Sequence, residues 1–220
     1  MGSITRSFAN NITTSGVLLP ASLTNNSIAN VTSYNAAVAT GGMVLISSQT
    51  ASASASISFT TGINSTYKEY VFYFINMHPA TDNVYFQFNG STDSGSNYNV
   101  TKTTSFFIAY NNEAGTDSAL SYDTGRDLAQ STAFQALNSG DTLGNGNDEN
   151  LGGYLHIFNP ASTTYVKHFI ATSNINGTSD YNANSYIGGY FNTTSAINAI
   201  QFKMSSGNTD EGTILMYGIV

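Results

Sequence analysis

Few side chains in this sequence could act as acids, bases or nucleophiles in a reaction. Three histidines occur: His78 precedes a proline, while His156 and His168 lie inside apolar stretches. A histidine in such a stretch is more often a solvated or hydrogen-bonded side chain than a catalytic base. The chain has no cysteine, so neither a disulfide nor a thiolate metal site can form. These residues predict no catalytic centre.

The carboxylates offer two short pairs, Asp123 with Asp127 and Asp148 with Glu149. Glycosidases act with two carboxyl groups that flank a sugar bond, but a separation in space cannot be read from spacing along a chain. A polysaccharide hydrolase is therefore one hypothesis, and solvated acids on loops are the simpler interpretation. We predict a protein that is not an enzyme and that uses no cofactor.

One loop carries several oxygen ligands of the kind that calcium prefers. The stretch "DTLGNGNDEN" contains Asp141, Asn145, Asn147, Asp148 and Glu149. Its spacing does not match the calcium loop of an EF-hand, which needs alternating acids and a distal glutamate. A solvated loop is the favoured interpretation, and no metal ligand is assigned.

Tyrosines are better suited to surface recognition than any other residue type here. The chain has fourteen, and Tyr98, Tyr122 and Tyr181 are flanked by Asn, Ser or Asp. An exposed aromatic ring beside amides, acids and hydroxyls is suited to binding sugars, because each phenol combines an apolar face with a polar tip. These three residues are the candidate glycan-binding residues. The alternative is that the tyrosines pack at strand edges and in subunit contacts.

Composition limits the class of partner. Of 220 residues only 9% are charged, and thirteen acids outnumber six scattered Lys and Arg residues to give a net charge of −7. Without a basic stripe, binding to nucleic acid or to an anionic membrane surface is not expected. No apolar run approaches the length of a membrane span. The chain is expected to contact other proteins, and a host-surface glycan is a further candidate partner.

Apolar and polar residues alternate in many short runs that predict an all-β protein. Aromatic and β-branched residues dominate these runs, and Gly, Asn, Asp or Pro bound them. The predicted strands lie at residues 43–50, 54–61, 67–78, 83–90, 104–112, 152–160, 164–174 and 185–191 and in a closing hairpin at 199–220. The last strand of that hairpin is expected in the interior. This number and spacing of strands favours a β-sandwich of jelly-roll type over residues 43–220.

Two segments depart from the strand pattern. The stretch "GRDLAQSTAFQALNSGD", residues 125–141, spaces Leu128, Phe134 and Leu137 loosely as in a helix, so one short helix is predicted there. Residues 1–42 hold single apolar residues among Asn, Ser and Thr, without a sustained period. They are interpreted as an extended N-terminal arm that packs on its own domain or reaches a neighbouring subunit.

Both ends of the chain carry a resemblance. The closing "SSGNTDEGTILMYGI" resembles the end of many small virion proteins of tailed bacteriophages, especially those that infect marine bacteria. The N-terminal "FANNITTSGVLLPASLTNNSIANVTS" is similar to the extended segments of such proteins. The resemblance implies a structural protein on the surface of the phage particle, either a capsid decoration or a short fibre or tail appendage. It carries no catalytic residues.

These observations lead to an expected function. The chain is expected to assemble with copies of itself, as a trimer or another closed ring, and with other virion proteins. A glycan-binding adhesin that recognises the host surface is the alternative.

Overall fold

The computed structural model describes residues 42–220, which form twelve β-strands and contain no helix. The predicted N-terminal arm therefore lies outside the described residues, apart from Gly42. The strands are β1 (Met43–Thr50), β2 (Ile57–Phe59), β3 (Glu69–Pro79), β4 (Phe86–Ser91), β5 (Lys102–Asn112), β6 (Ser118–Tyr122), β7 (Gln135–Ala136), β8 (Leu151–Phe158), β9 (Lys167–Asn176), β10 (Tyr181–Phe191), β11 (Ala199–Met204) and β12 (Thr209–Ile219).

Two antiparallel sheets form a sandwich, and eight of the strands have the order of a jelly roll. In the large sheet β1, β12, β3 and β8 are neighbours, and the small sheet has the order β2, β11, β4, β7. Taken in chain order, these eight strands alternate between the two sheets, with one exception. β4 and the next of them, β7, both belong to the small sheet, where they are neighbours. This wrapping is that of a double Greek key. The prediction of an all-β sandwich is confirmed.

Four further strands extend the large sheet beyond β8, in the order β9, β10, β5, β6. The β5–β6 hairpin is inserted between β4 and β7, and the β9–β10 hairpin is inserted between β8 and β11. All pairings in this extension are antiparallel. The large sheet is therefore twice as wide as the small one, with eight strands against four.

Phenylalanine rings from both sheets meet between them. Phe202 of β11 lies in the middle, with ring-centroid distances of 5.2 Å to Phe74 and 5.4 Å to Phe72 in the large sheet. Within the small sheet its ring stacks on that of Phe86 at 5.8 Å. Each of these rings is at most 3% exposed. Their inward positions follow from the alternation of side chains along a strand.

The last strand belongs to this interior, as its apolar pattern predicts. β12 lies between β1 and β3, with hydrogen-bonded neighbours on both edges. Ile214 and Met216 point inward and are fully buried. A central strand with two paired edges is held on both sides, which is why it does not fray.

The predicted helix over residues 125–141 is wrong. The segment is irregular apart from β7, which pairs with β4. Lys102 of β5 and Ser131 exchange two backbone hydrogen bonds, of 2.8 and 3.0 Å, and Leu137 is fully buried. Because the segment bonds to neighbouring strands, it forms no helical ladder, and pairing in the folded chain overrides a weak local pattern.

The large sheet turns one side toward the small sheet and the other side outward. We call the outward side the outer face. It carries exposed apolar residues from one edge to the other, including Leu45 (52% exposed), Ile170 (51%) and Phe107 (43%). Between them lie rings in contact, such as Tyr73 with Tyr217 at 5.9 Å. The outer face is thus an uninterrupted sheet surface rich in aromatic and aliphatic groups.

Candidate functional site

A cleft lies where the extension of the large sheet is covered by a loop instead of by the small sheet. After β7 the chain crosses the inner side of β9 and β10, where the Ser173 hydroxyl donates to the Leu137 carbonyl oxygen. The Ser139 N–H donates to the Ser185 hydroxyl oxygen at 3.0 Å. A loop cannot fill the space as a second sheet does, and a depression that is open to solvent, with a volume of about 520 Å³, remains. We call it the cleft; its lining is Tyr85, Ile108, Tyr110, Ser121, Tyr122, Asp123, Thr124, Ser139, Gly140, Asp141 and Thr142.

Two tyrosine rings in the lining are held by neighbours. The guanidinium carbon of Arg126 lies 3.8 Å from the ring centroid of Tyr85, a cation–π contact that fixes this ring. Tyr110 of β5 meets the ring of Tyr181 edge-to-face at 5.5 Å. Both lining rings are half-buried. They present apolar surface whose orientation does not depend on a ligand.

Two carboxylates in the lining are fixed by the backbone around them. Asp123 accepts hydrogen bonds from the Gly125 N–H at 2.8 Å and from the Ser139 hydroxyl. Asp141 accepts from the N–H groups of Thr142 and Ser179, both at 2.8 Å. Each carboxylate oxygen can accept more than one hydrogen bond, so both groups can also accept from a bound molecule.

Four hydroxyl groups of the lining have no hydrogen-bond partner within residues 42–220. They belong to Tyr85, Tyr110, Ser121 and Thr124, and none of them is a buried orphan. A hydroxyl can both donate and accept. The cleft therefore combines two fixed tyrosine rings, two fixed carboxylate acceptors and four hydroxyl groups that can both donate and accept hydrogen bonds. Such a lining can hold a small molecule that carries several hydroxyl groups on an apolar frame.

The three candidate tyrosines do not share one site. Tyr122 contributes to the rim of the cleft, but its register opposite Phe107 places the ring on the outer face. Tyr181 supports Tyr110 from outside the lining. Tyr98 is not part of the lining of the cleft, and its hydroxyl is buried without a hydrogen-bond partner among the described residues. A glycan-binding role for the three as a group stays a prediction.

Two of these tyrosines hold carboxylates. The Tyr122 hydroxyl donates to Asp127 at 2.7 Å and the Tyr181 hydroxyl donates to Asp117 at 2.8 Å. Each carboxylate accepts a hydrogen bond from the protonated phenol and so stabilises the protonated form. The bond therefore raises the pKa of that tyrosine above its ordinary value. These phenols are therefore already engaged as donors.

The other residues considered for chemistry are separated. His156 bonds to Glu69 at 2.6 Å on the outer face, and His168 is exposed beside Tyr190 on the same face. His78 contacts the Gly146 carbonyl oxygen at 3.1 Å near the opposite end of β3. The three histidines do not form a cluster.

The candidate calcium loop is closed by its own backbone. Glu149 accepts from the Gly146 N–H at 2.6 Å, while Asp148 is exposed and Asp141 belongs to the cleft. Within residues 42–220 no three His, Cys, Asp or Glu side chains are placed to hold a metal ion together. The loop therefore separates the ligands that its sequence suggested.

Sequence reasoning missed the two rings that line the cleft. Tyr85 and Tyr110 both occur in strand-like runs, where they are indistinguishable from core residues. No local signal separates them from the other tyrosines, because the cleft depends on a segment that follows β7.

In comparisons with protein-family models, with curated proteins and with solved structures, no match was found. Among residues 42–220, no helix is long and apolar enough to cross a membrane.

Proposed function

We propose that this chain is a non-enzymatic structural protein of a bacteriophage virion. It lies on the particle surface, as a capsid decoration or as a short fibre or tail appendage, and it acts through contacts between subunits. The observation that supports this proposal is the outer face. Monomeric proteins rarely expose large apolar patches, and a sheet face that exposes many apolar side chains is typical of a site of protein association.

The distribution of charge favours contact between copies of the chain. Ten of the thirteen acids lie between strands, and Asp210 and Glu211 lie at the start of β12. Glu69 is the remaining acid, and it is paired with His156 on the outer face. No Lys or Arg lies on that face in the described residues. Two copies can therefore bring outer faces together without strong repulsion, although each chain has a net charge of −7.

The fold is compatible with this role. Jelly rolls include many viral capsid domains, and also lectin domains. A fold alone does not fix a function. The proposal therefore depends on the outer face, and the resemblance at the chain ends supplies the viral context.

The assembly that we propose is a closed ring of identical subunits, in the first instance a trimer. Closed rings bury the same surfaces in every copy and leave no free interface for further growth. β-topology and subunit burial both slow unfolding, which is an advantage to a particle outside the cell. The predicted arm at residues 1–42 is a second proposed contact.

Light scattering after gel filtration of the full-length chain tests the assembly. We expect a mass of three chains or another small multiple. Replacing Leu45 and Ile170 together by lysine places two charges on the outer face, and we expect a monomer that remains folded by circular dichroism. Tyr165→Lys is the matched control, since it replaces a large residue that is 72% exposed but lies in the loop between β8 and β9.

Two results would overturn the assembly. One is a monomeric wild-type chain, and the other is an oligomer that the double variant leaves intact. The virion role has a separate test, which is peptide mass spectrometry of purified phage particles. If no peptide of this chain is found in the purified phage particles, the virion role is ruled out.

A further inference from the structure

We infer that the cleft is a binding site for a neutral carbohydrate. This goes beyond the structural role proposed above. It also uses a different part of the molecule, because the cleft lies on the inner side of β5 and β6 and the outer face lies on the other side. The two proposals can therefore fail independently.

The size and walls of the cleft favour a small ligand. Its volume of about 520 Å³ lies within the range of roughly 300–1,000 Å³ that is typical of small-molecule sites. Ile108 and the rings of Tyr85 and Tyr110 supply the apolar part of the lining. Sugars present C–H groups on the faces of their rings, and these pack against aromatic side chains.

The polar groups of the cleft match the hydroxyls of a sugar. A sugar hydroxyl can donate to the carboxylates of Asp123 and Asp141, because their oxygens can accept further hydrogen bonds beyond those from the protein. It can also exchange hydrogen bonds with the Ser121 and Thr124 hydroxyls, which have no partner within residues 42–220. Hydrogen bonds to an ionised acceptor are stronger than those between neutral groups.

Charge decides the class of sugar. The lining contains two acids and no Lys or Arg. Arg126 lies over the ring of Tyr85 but is not itself part of the lining. A phosphate, a sulfate or a sugar carboxylate would meet Asp123 and Asp141 with no cation among the lining residues to offset them. The cleft therefore selects a neutral sugar over an anionic one.

The loop lies very close to the sheet at one point of the lining. Gly140 has a φ of +87°, in the left-handed region that favours glycine. A Cβ atom at this position would lie 3.1 Å from the Cβ of Ala183 and 3.4 Å from Cδ1 of Ile108. At Gly140 the loop thus approaches β5 and β10 closely, at the border of the cleft.

The test is a binding screen with the full-length chain in its native oligomeric state. The probes are neutral oligosaccharides of glucose, galactose, mannose and N-acetylglucosamine, with sialylated and uronate-containing oligosaccharides as anionic counterparts. Isothermal titration calorimetry and saturation-transfer NMR measure the binding. We expect at least one neutral probe to bind and every anionic counterpart to bind more weakly.

Variants then locate the binding. We expect Tyr85→Ala and Tyr110→Ala each to weaken it about tenfold or more, because each removes a ring from the wall of the cleft. Tyr85→Phe keeps that ring and removes only the hydroxyl, so a smaller loss is expected. Tyr165→Ala is the control, since it removes an exposed tyrosine from the loop between β8 and β9, and it should leave the affinity unchanged.

Three outcomes would overturn the inference. They are no binding to any neutral probe, a preference for the anionic probes, and binding that the two alanine variants leave unchanged while circular dichroism shows them to be folded. The mass of the oligomer, measured on the same samples, reports on the proposed structural role. Loss of glycan binding with an intact oligomer would thus leave that role untouched.

Discussion

The two halves of the large sheet are covered in different ways. The strands β1, β12, β3 and β8 belong to the jelly roll, and phenylalanines of the small sheet pack against them. Part of the inner side of the extension is covered by the loop segment that follows β7. Sheet against sheet gives close-packed rings, whereas loop against sheet leaves a cleft of about 520 Å³. The small sheet also covers part of the extension, where Phe88 packs against Phe169 and Phe191, so only the region under the loop is free to bind.

The sharpest test of this difference is a pair of alanine substitutions. Phe202→Ala removes a fully buried ring that contacts five other phenylalanines. We expect it to lower the free energy of unfolding by about 3–5 kcal/mol, because the site keeps a cavity. Leu120→Ala, on β6 at the far edge of the extension, removes a side chain that is 72% exposed. Its effect should stay within about 0.5 kcal/mol.

Urea unfolding measures both values. Equal losses from Phe202→Ala and Leu120→Ala would contradict the expectation that the rings between the two sheets stabilise the fold more than the exposed edge of the extension does.

The extension of the large sheet holds a buried lysine whose effect on stability depends on pH. Lys102 of β5 is fully buried and donates to Asn89 Oδ1 at 2.7 Å and to the Val100 carbonyl oxygen at 3.0 Å. Burial lowers the pKa of Lys102 from 10.5 to about 7. Between these two values the unfolded chain binds more protons than the folded one. The free energy of unfolding therefore rises with pH across this window, and the gain is lost as pH falls through 7.

Lys102→Met should remove this rise. The variant also leaves the Val100 carbonyl oxygen without its donor and removes one of the two donors to Asn89 Oδ1, so the prediction concerns the slope with pH and not the absolute stability. Lys167, whose pKa burial also lowers, is present in both proteins and cancels in the difference. Urea unfolding of both proteins across the window gives the two slopes. If the difference between the free energies of unfolding of wild type and variant stays constant across this pH window, the prediction is wrong.

The alternation of apolar residues was enough to predict the sandwich, because side chains in a half-buried strand must alternate. Strands with buried aromatic residues, such as β3 and β4, were therefore recognisable. β6 was missed because all five of its residues are exposed, and β7 was missed because it has only two residues. Such short elements owe their existence to their neighbours in the fold.

The cleft could not be predicted at all. It depends on Tyr85 and Tyr110, which are 25 residues apart, and on a segment whose hydrogen bonds reach Ser185, 46 residues away from Ser139. Pairings of this separation leave no periodic signal in the chain. Tyr122 is a candidate glycan-binding residue because it lies between Ser121 and Asp123. This local setting does not show on which side of the sheet its ring lies.

A smaller effect than that of Phe202→Ala is expected where the loop that covers the extension is attached. Gln135 of β7 is fully buried, and its amide oxygen accepts from the Thr104 hydroxyl at 2.7 Å. Its amide nitrogen donates to the carbonyl oxygens of Arg126 and Ala136, at 2.9 and 3.0 Å. Gln135→Ala leaves these groups without their partner. We expect the free energy of unfolding to fall by about 1–3 kcal/mol, which is the cost of unpaired buried polar groups.

Gln87→Ala is the matched control for Gln135→Ala. Gln87 lies directly opposite Ala136 in the β4–β7 pair, is half-buried, and its amide makes no side-chain hydrogen bond within residues 42–220. The same truncation there removes similar atoms without breaking a network, so a smaller loss is expected in urea unfolding. If both variants lose the same stability, the buried amide does not anchor the loop. The shape of the cleft would then depend on the backbone pairing of β7 and on the contacts of Ser139, and Ser185→Ala would become the substitution that opens it.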